Sequence, residues 1–294
     1  MGSAKNTDCG CESEPMRFSK WEGLGNDFVL LVVPPIPENA EALARAVCDR
    51  HFGVGADGLI FVSKSQLDGG SEELRMDIYN ADGSCAAMCG NGIRCVAALA
   101  SLQGLVDVPE FAIDTRSGQK RVAVARSSSA GALYMVGVNM GKAQILARET
   151  CALSDGRVFS SAIVDMGNLH RVVLMPEADG ATVDVVLEGS RLESSACGPA
   201  NVEFVSWRAA AATEPEQLDV KVWEKGVGVT LACGTGACAS FAAARELLSC
   251  GDKLIAHLPG GDLELQESGD GSIRMTGPAR EVFTGTWPRT AAER

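Results

Sequence analysis

Histidine is scarce in this sequence, which contains only His51, His170 and His257, far apart along the chain. A transition-metal site needs several nitrogen, sulfur or carboxylate ligands that come together in space, and no ligand spacing of this kind surrounds the histidines. A phosphate-binding lysine motif is missing as well. We therefore expect neither a resident metal ion nor a cofactor.

Positive charge and long apolar runs are also scarce. The formal net charge is −12 at pH 7, whereas binding to nucleic acid or to an anionic membrane needs a basic surface. The longest apolar stretches, such as residues 28–35, are far shorter than the roughly 18 to 20 residues that span a bilayer. No apolar signal-peptide segment follows a basic start. We expect a cytoplasmic protein that binds a small molecule, with a homodimer as its assembly.

Cysteine, by contrast, is abundant. The chain has 11 cysteines, but an odd number in a large chain without a signal peptide favours reduced thiols over a disulfide framework. Residues 1–15 are polar and without periodicity, so we expect a mobile extension whose Cys9 and Cys11 are incidental. The remaining length is enough for two domains with a substantial core.

One short motif occurs twice. Residues 88–100 and 232–244 both read as cysteine, glycine, a small polar residue and glycine, followed by an alanine-rich apolar segment typical of a buried helix. A Gly-Asn pair precedes each motif at nearly the same distance, with the asparagines at Asn26 and Asn168. An internal duplication of this kind predicts two similar halves.

The elements between these landmarks are mostly strands. Residues 74–78 and 218–222 alternate between apolar and polar, as half-buried strands do, and residues 38–50 have the apolar spacing of an amphipathic helix. Many strands around one apolar helix per half predict an α+β fold. We expect two pseudo-symmetric domains, each a sheet wrapped around a central helix, with the active site in the cleft between them.

The boundaries follow from the duplication. We expect residues 16–138 to form the N-terminal domain with Cys89, completed by residues 277–294. Residues 139–276 should then form the C-terminal domain with Cys233.

The two cysteine turns suggest a specific chemistry. A thiol at a helix N-terminus should have a lowered pKa, because unpaired N–H groups and the helix dipole favour the thiolate. The same N–H groups can hold an α-carboxylate. With one sulfur on each side of Cα, one thiolate can remove the proton while the other thiol delivers one, which inverts the centre. A lone cysteine is more often a core residue, as we expect for Cys85, Cys95 and Cys238, but packing does not explain the duplication of Cys89 and Cys233.

A series of short blocks matches one known family in the family's order, at residues 18–20, 23–28, 53–58, 80–83, 89–95, 138–141, 166–170, 201–205, 232–238 and 275–279. On these blocks, nearly the whole chain after residue 15 resembles the diaminopimelate epimerase family.

The resemblance implies a cofactor-independent amino-acid epimerase with Cys89 and Cys233 as its acid/base pair. It implies that the reacting carboxylate is held by four residues, Gly90, Asn91, Gly234 and Thr235. Glu224 and His170 would hold the amino group and support the cysteines. The far end of the substrate would be bound by Asn26, Asn80, Asn168 and Asn201.

Three positions depart from the family pattern. Lys225 stands where an arginine would clamp the distal carboxylate, and an ammonium group lacks the bidentate geometry of a guanidinium. Val229 replaces a carboxylate close to the site, and Leu169 replaces a proline. Neither cysteine turn is affected, so the reaction class is retained. The substrate is diaminopimelate on this pattern, with a smaller amino acid such as histidine as the alternative.

Other function classes fit less well. Residues 53–58 have the glycine pattern of a dinucleotide-binding turn, but a strand follows them where that motif needs a helix. A Cys/His hydrolase, with His170 activating one cysteine, leaves the duplication unexplained. A non-enzymatic binding module of this fold would be marked by the loss of a cysteine, and both are present.

Overall fold

A computed structural model describes residues 15–33, 36–66, 72–126, 133–194, 198–211 and 214–288. Apart from Pro15, the predicted mobile extension with Cys9 and Cys11 lies outside the described residues. No helix in the described part of the chain is long and apolar enough to cross a membrane.

The first half consists of strands with two helices between them. In chain order its elements are β1 (Met16–Gly23), β2 (Asn26–Val32), α1 (Ala40–Cys48), β3 (Gly58–Gln66), β4 (Glu72–Asn80), β5 (Cys85–Ala86), α2 (Gly90–Leu102), β6 (Glu110–Asp114), β7 (Lys120–Arg126) and β8 (Leu133–Asn139).

The second half continues with the same kinds of element. They are β9 (Gln144–Ala152), β10 (Val158–Asp165), β11 (Leu169–Met175), α3 (Glu177–Thr182), α4 (Val185–Glu193), β12 (Asn201–Arg208), β13 (Gln217–Glu224), β14 (Gly228–Thr230), α5 (Gly234–Leu248), β15 (Lys253–Leu258), β16 (Gly261–Glu267) and β17 (Ile273–Trp287).

The strands of the first half close around α2. Strand β1 pairs with β2, the pairing continues through β3, β4, β6, β7 and β8, and β17 joins β8 back to β1. Residues 90–100 of α2 are all buried. A helix surrounded by sheet must be apolar on every side, which is why this segment is rich in alanine and branched aliphatic residues.

The second half repeats this pairing pattern around α5. The parallel pair β2–β3 has its counterpart in β11–β12, and the parallel pair β4–β6 in β13–β15. Helix α5 packs against β10 to β13, β15 and β16. The α+β class and the two similar halves predicted from the duplication are therefore confirmed.

The local predictions are also confirmed. Residues 74–78 lie in β4 and residues 218–222 in β13, and their apolar side chains are buried. The helix predicted at residues 38–50 is α1, which buries Leu43 and Val47.

The predicted domain boundaries stay a proposal. Residues 273–276 of β17 pair with β16 of the second half, and residues 280–287 pair with β1 of the first. This change of partner along one strand supports a boundary close to residue 276.

Candidate active site

The two cysteines occupy the same structural position in the two halves. Cys89 is the N-cap of α2 and Cys233 is the N-cap of α5, both in extended backbone conformations. The helices that they cap start almost in contact, since a Cβ atom added at Gly90 would lie 3.4 Å from the Cα atom of Gly234. Only glycine at both positions allows so close an approach.

A cavity of about 360 Å³ opens at this junction, within the size range of small-molecule sites. Cys89 and Cys233 both line it, together with seven of the other predicted site residues: Asn26, Gly90, Asn91, Asn168, Glu224, Gly234 and Thr235. The structure thus brings most of the predicted site into one place.

The environment of the two thiols corrects one sequence-based expectation. Burial raises the pKa of the Cys89 thiol, although the N–H groups of Asn91 and Gly92 act in the opposite direction. Burial, assisted by the Glu224 and Glu203 carboxylates, raises the pKa of Cys233 well above its usual value. The helix N-termini therefore do not lower the pKa of either thiol overall in the empty cavity, because the desolvation of the thiolate outweighs their effect.

Hydrogen bonds join the two turns. The Asn91 side-chain N–H donates to Asn26 Oδ1 at 3.2 Å and to the carbonyl oxygen of Ala232, which precedes Cys233, at 3.0 Å. Asn26 Nδ2 in turn donates to Asp57 Oδ2 at 2.6 Å. Asp57, which the sequence reasoning did not assign, fixes the orientation of the Asn26 amide.

His170 lies behind the cavity wall rather than on it. The ring is fully buried, with Nδ1 2.7 Å from Glu203 Oε1 and Nε2 3.2 Å from Asn168 Oδ1. Both ring nitrogens have partners other than a cysteine, which counts against a hydrolase in which His170 activates a thiol. Glu203 was missed by the sequence reasoning, although a single acid inside the apolar run of β12 was a usable signal.

Glu224 is the carboxylate on the cavity wall. Its Oε1 accepts a hydrogen bond from Thr230 Oγ1 at 2.6 Å, and burial raises its pKa. Lys225, the next residue, has an exposed side chain, and its backbone N–H donates to Asn201 Oδ1 at 2.9 Å.

The remaining two predicted asparagines are not on the wall. Asn201 is buried and its Nδ2 donates to the Leu169 carbonyl oxygen at 3.3 Å, while the exposed Asn80 donates to Ser84 Oγ at 2.9 Å. Two polar residues that the sequence reasoning missed, Ser117 and Lys120, do line the cavity. Burial lowers the pKa of the Lys120 ammonium.

A metal centre finds no support in the part of the chain that the structure describes. No group of three or more histidine, cysteine, aspartate or glutamate side chains there could hold a metal ion.

Comparison with known proteins supports the resemblance seen in the sequence. The family model for diaminopimelate epimerase matches residues 18–146 and 162–282. A diaminopimelate epimerase of Moorella thermoacetica is 39% identical, over 93% of this chain and 99% of that protein. One of Prochlorococcus marinus is 40% identical, over 92% of each.

Solved structures of other proteins share the fold. A hydroxyproline epimerase from Agrobacterium vitis with bound trans-4-hydroxy-L-proline superposes with a TM-score of 0.67 at 14% identity, covering 96% of this chain and 95% of that chain. A phenazine biosynthesis protein of the PhzF family from Bacillus anthracis gives 0.67 at 13% identity, covering 93% and 99%. At these identities the likeness concerns the fold alone.

The close approach of the two helix starts predicts the effect of a single methyl group. In Gly234→Ala, the new Cβ would meet the Met275 sulfur at 3.1 Å and the Gly90 Cα at 3.4 Å. We expect a loss of about 1 to 3 kcal/mol in the free energy of unfolding, the usual cost of overpacking. Urea denaturation measures it.

Gly269→Ala is the matched control, because a Cβ there would meet no atom within 4 Å. Equal stability of the two variants would contradict the close contact.

Proposed function

The chain belongs to the diaminopimelate epimerase family, and we propose that it interconverts LL- and meso-diaminopimelate, supplying lysine and peptidoglycan precursors. It is an isomerase of the amino-acid epimerase class. The observation that carries the proposal is the pair of cysteines, Cys89 and Cys233, at the starts of two helices that meet at one cavity.

The helix starts provide a seat for the α-carboxylate. The first N–H groups of an α-helix have no acceptor within the helix, and its N-terminus carries partial positive charge. Two such ends point at the same cavity, so a carboxylate between them meets donors from both. Gly90 and Asn91 supply the N–H groups on one side, and Gly234 and Thr235 supply them on the other.

The same seat stabilises the reaction intermediate. Removal of the Cα proton places negative charge next to the carboxylate, and donors that are already oriented stabilise this charge without reorganisation. This contribution stands in for the electron sink that a cofactor such as pyridoxal phosphate would provide.

The proton transfer is symmetric in its chemistry. The thiolate of one cysteine takes the Cα proton and becomes a thiol, while the thiol on the opposite face gives its proton to Cα and becomes a thiolate. Neither charge nor protons are lost overall, and the configuration inverts. The reverse reaction exchanges the roles of the two cysteines.

Substrate binding would help to form the first thiolate. Burial raises the pKa of both thiols in the empty cavity, but the substrate carries an α-ammonium group, and a nearby positive charge favours the anionic form of a thiol. Glu224, on the same wall, is suited to bind this ammonium.

The far end of the substrate would be recognised by amide groups. Asn26 and Asn168 line the cavity. The Asp57 carboxylate holds the Asn26 amide, and the buried His170 ring holds the Asn168 amide. His170 acts by orienting Asn168. Asn201 acts by fixing the backbone of Lys225. Contact between Asn80 and the far end of the substrate stays a prediction.

We also propose that the protein is cytoplasmic and that it forms a homodimer. All eight cysteines in the described part of the chain are free thiols, which persist in the reducing cytoplasm. The predicted homodimer is tested by light scattering of the purified protein.

A racemase of histidine or another small amino acid is the alternative. It is favoured by Lys225, whose exposed side chain is not on the cavity wall, and by Val229, which replaces a carboxylate of the family pattern.

The two-cysteine mechanism predicts that Cys89→Ala and Cys233→Ala each abolish epimerisation, since each removes the acid/base group on one face of Cα. Chiral chromatography of diaminopimelate after incubation measures the interconversion. Cys85→Ala is the control and should keep wild-type activity, because Cys85 is exposed in the preceding strand; the expectation that it is a core residue, which holds for Cys95 and Cys238, was wrong for Cys85. Substantial turnover by either active-site variant, with the fold intact, would refute the mechanism.

The two candidate substrates predict different directions for the effect of Lys225→Arg on kcat/KM. If diaminopimelate is the substrate, Lys225→Arg should maintain or raise kcat/KM, because a guanidinium binds a carboxylate in a bidentate manner. If the substrate has no second carboxylate, its turnover should stay the same or fall through crowding. The measurement is kcat/KM of both forms on diaminopimelate and on histidine. Robust histidine turnover without diaminopimelate activity in either form would overturn the substrate proposal.

A further inference from the structure

Arg94 is a completely buried cation directly behind one of the two cysteine turns. It lies one helical turn into α2, with Nη1 donating to the Gly90 carbonyl oxygen and Nε donating to that of Pro278, both at 3.1 Å. Nη2 is buried without a hydrogen-bond partner. Among the described residues, none of the ion pairs includes Arg94. Burying an uncompensated charge in this way is costly.

The surrounding backbone is shaped to admit the guanidinium. A Cβ atom at Gly23 would lie 3.1 Å from Nη2, and one at Gly277 would lie 3.3 Å from Nε. Glycine at position 23 therefore leaves room for the charged group, whereas at position 277 the Leu263 side chain would lie nearer to such a Cβ and is the closer constraint. An aliphatic side chain would fill the same position in α2 without the cost of desolvation.

The second half of the molecule builds the same helix start without a cation. Four residues after Gly234, at the position that corresponds to Arg94, stands Cys238, which is fully buried and neutral, since burial raises its pKa to about 12. The fold therefore does not require a positive charge at this place.

Among the described residues, the titratable groups whose charge acts most on Arg94 are the Cys95 and Cys89 thiols, the Glu22 carboxylate and the Cys238 thiol. Glu22 is already paired with Arg280 at 3.0 Å. Burial raises the pKa of Cys95 as it does that of Cys238. Of the four groups, only the Cys89 thiol lines the cavity.

The surroundings of Cys233 are more negative than those of Cys89. The carboxylates of Glu224 and Glu203 both disfavour its thiolate. Glu224 also disfavours the thiolate of Cys89, but it is the only carboxylate among the described groups that act most on this thiol, and the Arg94 cation offsets part of its effect. The two otherwise similar turns thus differ in charge.

We propose that Arg94 is a positioning residue whose buried charge selects Cys89, rather than Cys233, as the thiol that loses its proton first. The inference rests on the two-cysteine function proposed above. The resting enzyme then deprotonates the isomer whose Cα–H bond faces Cys89, and the Cys233 thiol protonates the other face. Turnover leaves a thiol at Cys89 and a thiolate at Cys233, and a proton must pass from Cys89 to Cys233, through water, before the same direction repeats.

The test is site-resolved alkylation of the substrate-free protein with iodoacetamide, followed by mass spectrometry across neutral to alkaline pH. Because the thiolate is the reactive form, the pH dependence gives the titration of each thiol. We expect Cys89 to titrate at lower pH than Cys233 in the wild type. The reverse order, or coincident titration, would overturn the proposal without need of any variant.

Variants identify the source of the difference. Arg94→Met keeps the approximate volume and removes the charge. It should raise the pH midpoint of the Cys89 titration by about one unit, which corresponds to a roughly tenfold smaller thiolate fraction at a given pH. Arg94→Lys should keep it near the wild-type position. Cys238→Ala, at the corresponding position of α5, is the control and should move neither thiol.

An unchanged Cys89 titration in folded Arg94→Met would refute the proposal, as would an equal shift at Cys233, the result expected of a purely structural role. The readout needs no substrate, so normal titrations in a protein without epimerase activity would contradict the proposed function instead.

Discussion

Two helices of this protein begin within van der Waals distance of each other, with their positive ends directed at one cavity. Glycine at Gly90 and Gly234 makes the approach sterically feasible. The arrangement is electrostatically unfavourable when the cavity is empty, since both ends carry partial positive charge, and an anion between them relieves it. The rest of the structure can be understood as the support for this junction.

The surrounding strands fix the two helices, and hydrogen bonds fix the turns at their starts. The strands wrapped around α2 and α5 bury both helices and fix their directions. Asn91 ties one turn to the other through the Ala232 carbonyl oxygen, and Glu203, His170 and Asn168 form a hydrogen-bonded chain that ends at Thr235 Oγ1. Rigid placement of this kind matters because proton transfer depends on sub-ångström geometry.

The features that could be predicted from the sequence are those encoded by a local motif that occurs twice. The cysteine turns, the central helices and the similar halves follow from a repeated motif, and the site residues next to those turns line the cavity. The pKa direction of the thiols was wrong, because burial depends on residues distant in sequence. A single acid in the apolar run of β12 marks Glu203 in the sequence, but its partner His170 and the presence of Lys120 on the cavity wall depend on tertiary packing, which no local pattern reveals.

The central claim is that each face of Cα is served by its own cysteine. The measurement that addresses it most directly is epimerisation in D₂O, with deuterium at Cα of both isomers followed by NMR or mass spectrometry at early times. Two separate thiols that exchange with solvent should place deuterium in the product isomer while the unreacted isomer stays protonated. Deuterium appearing equally in both isomers from the start, or transfer of the original proton to the product, would show that a single base serves both faces and would contradict the account.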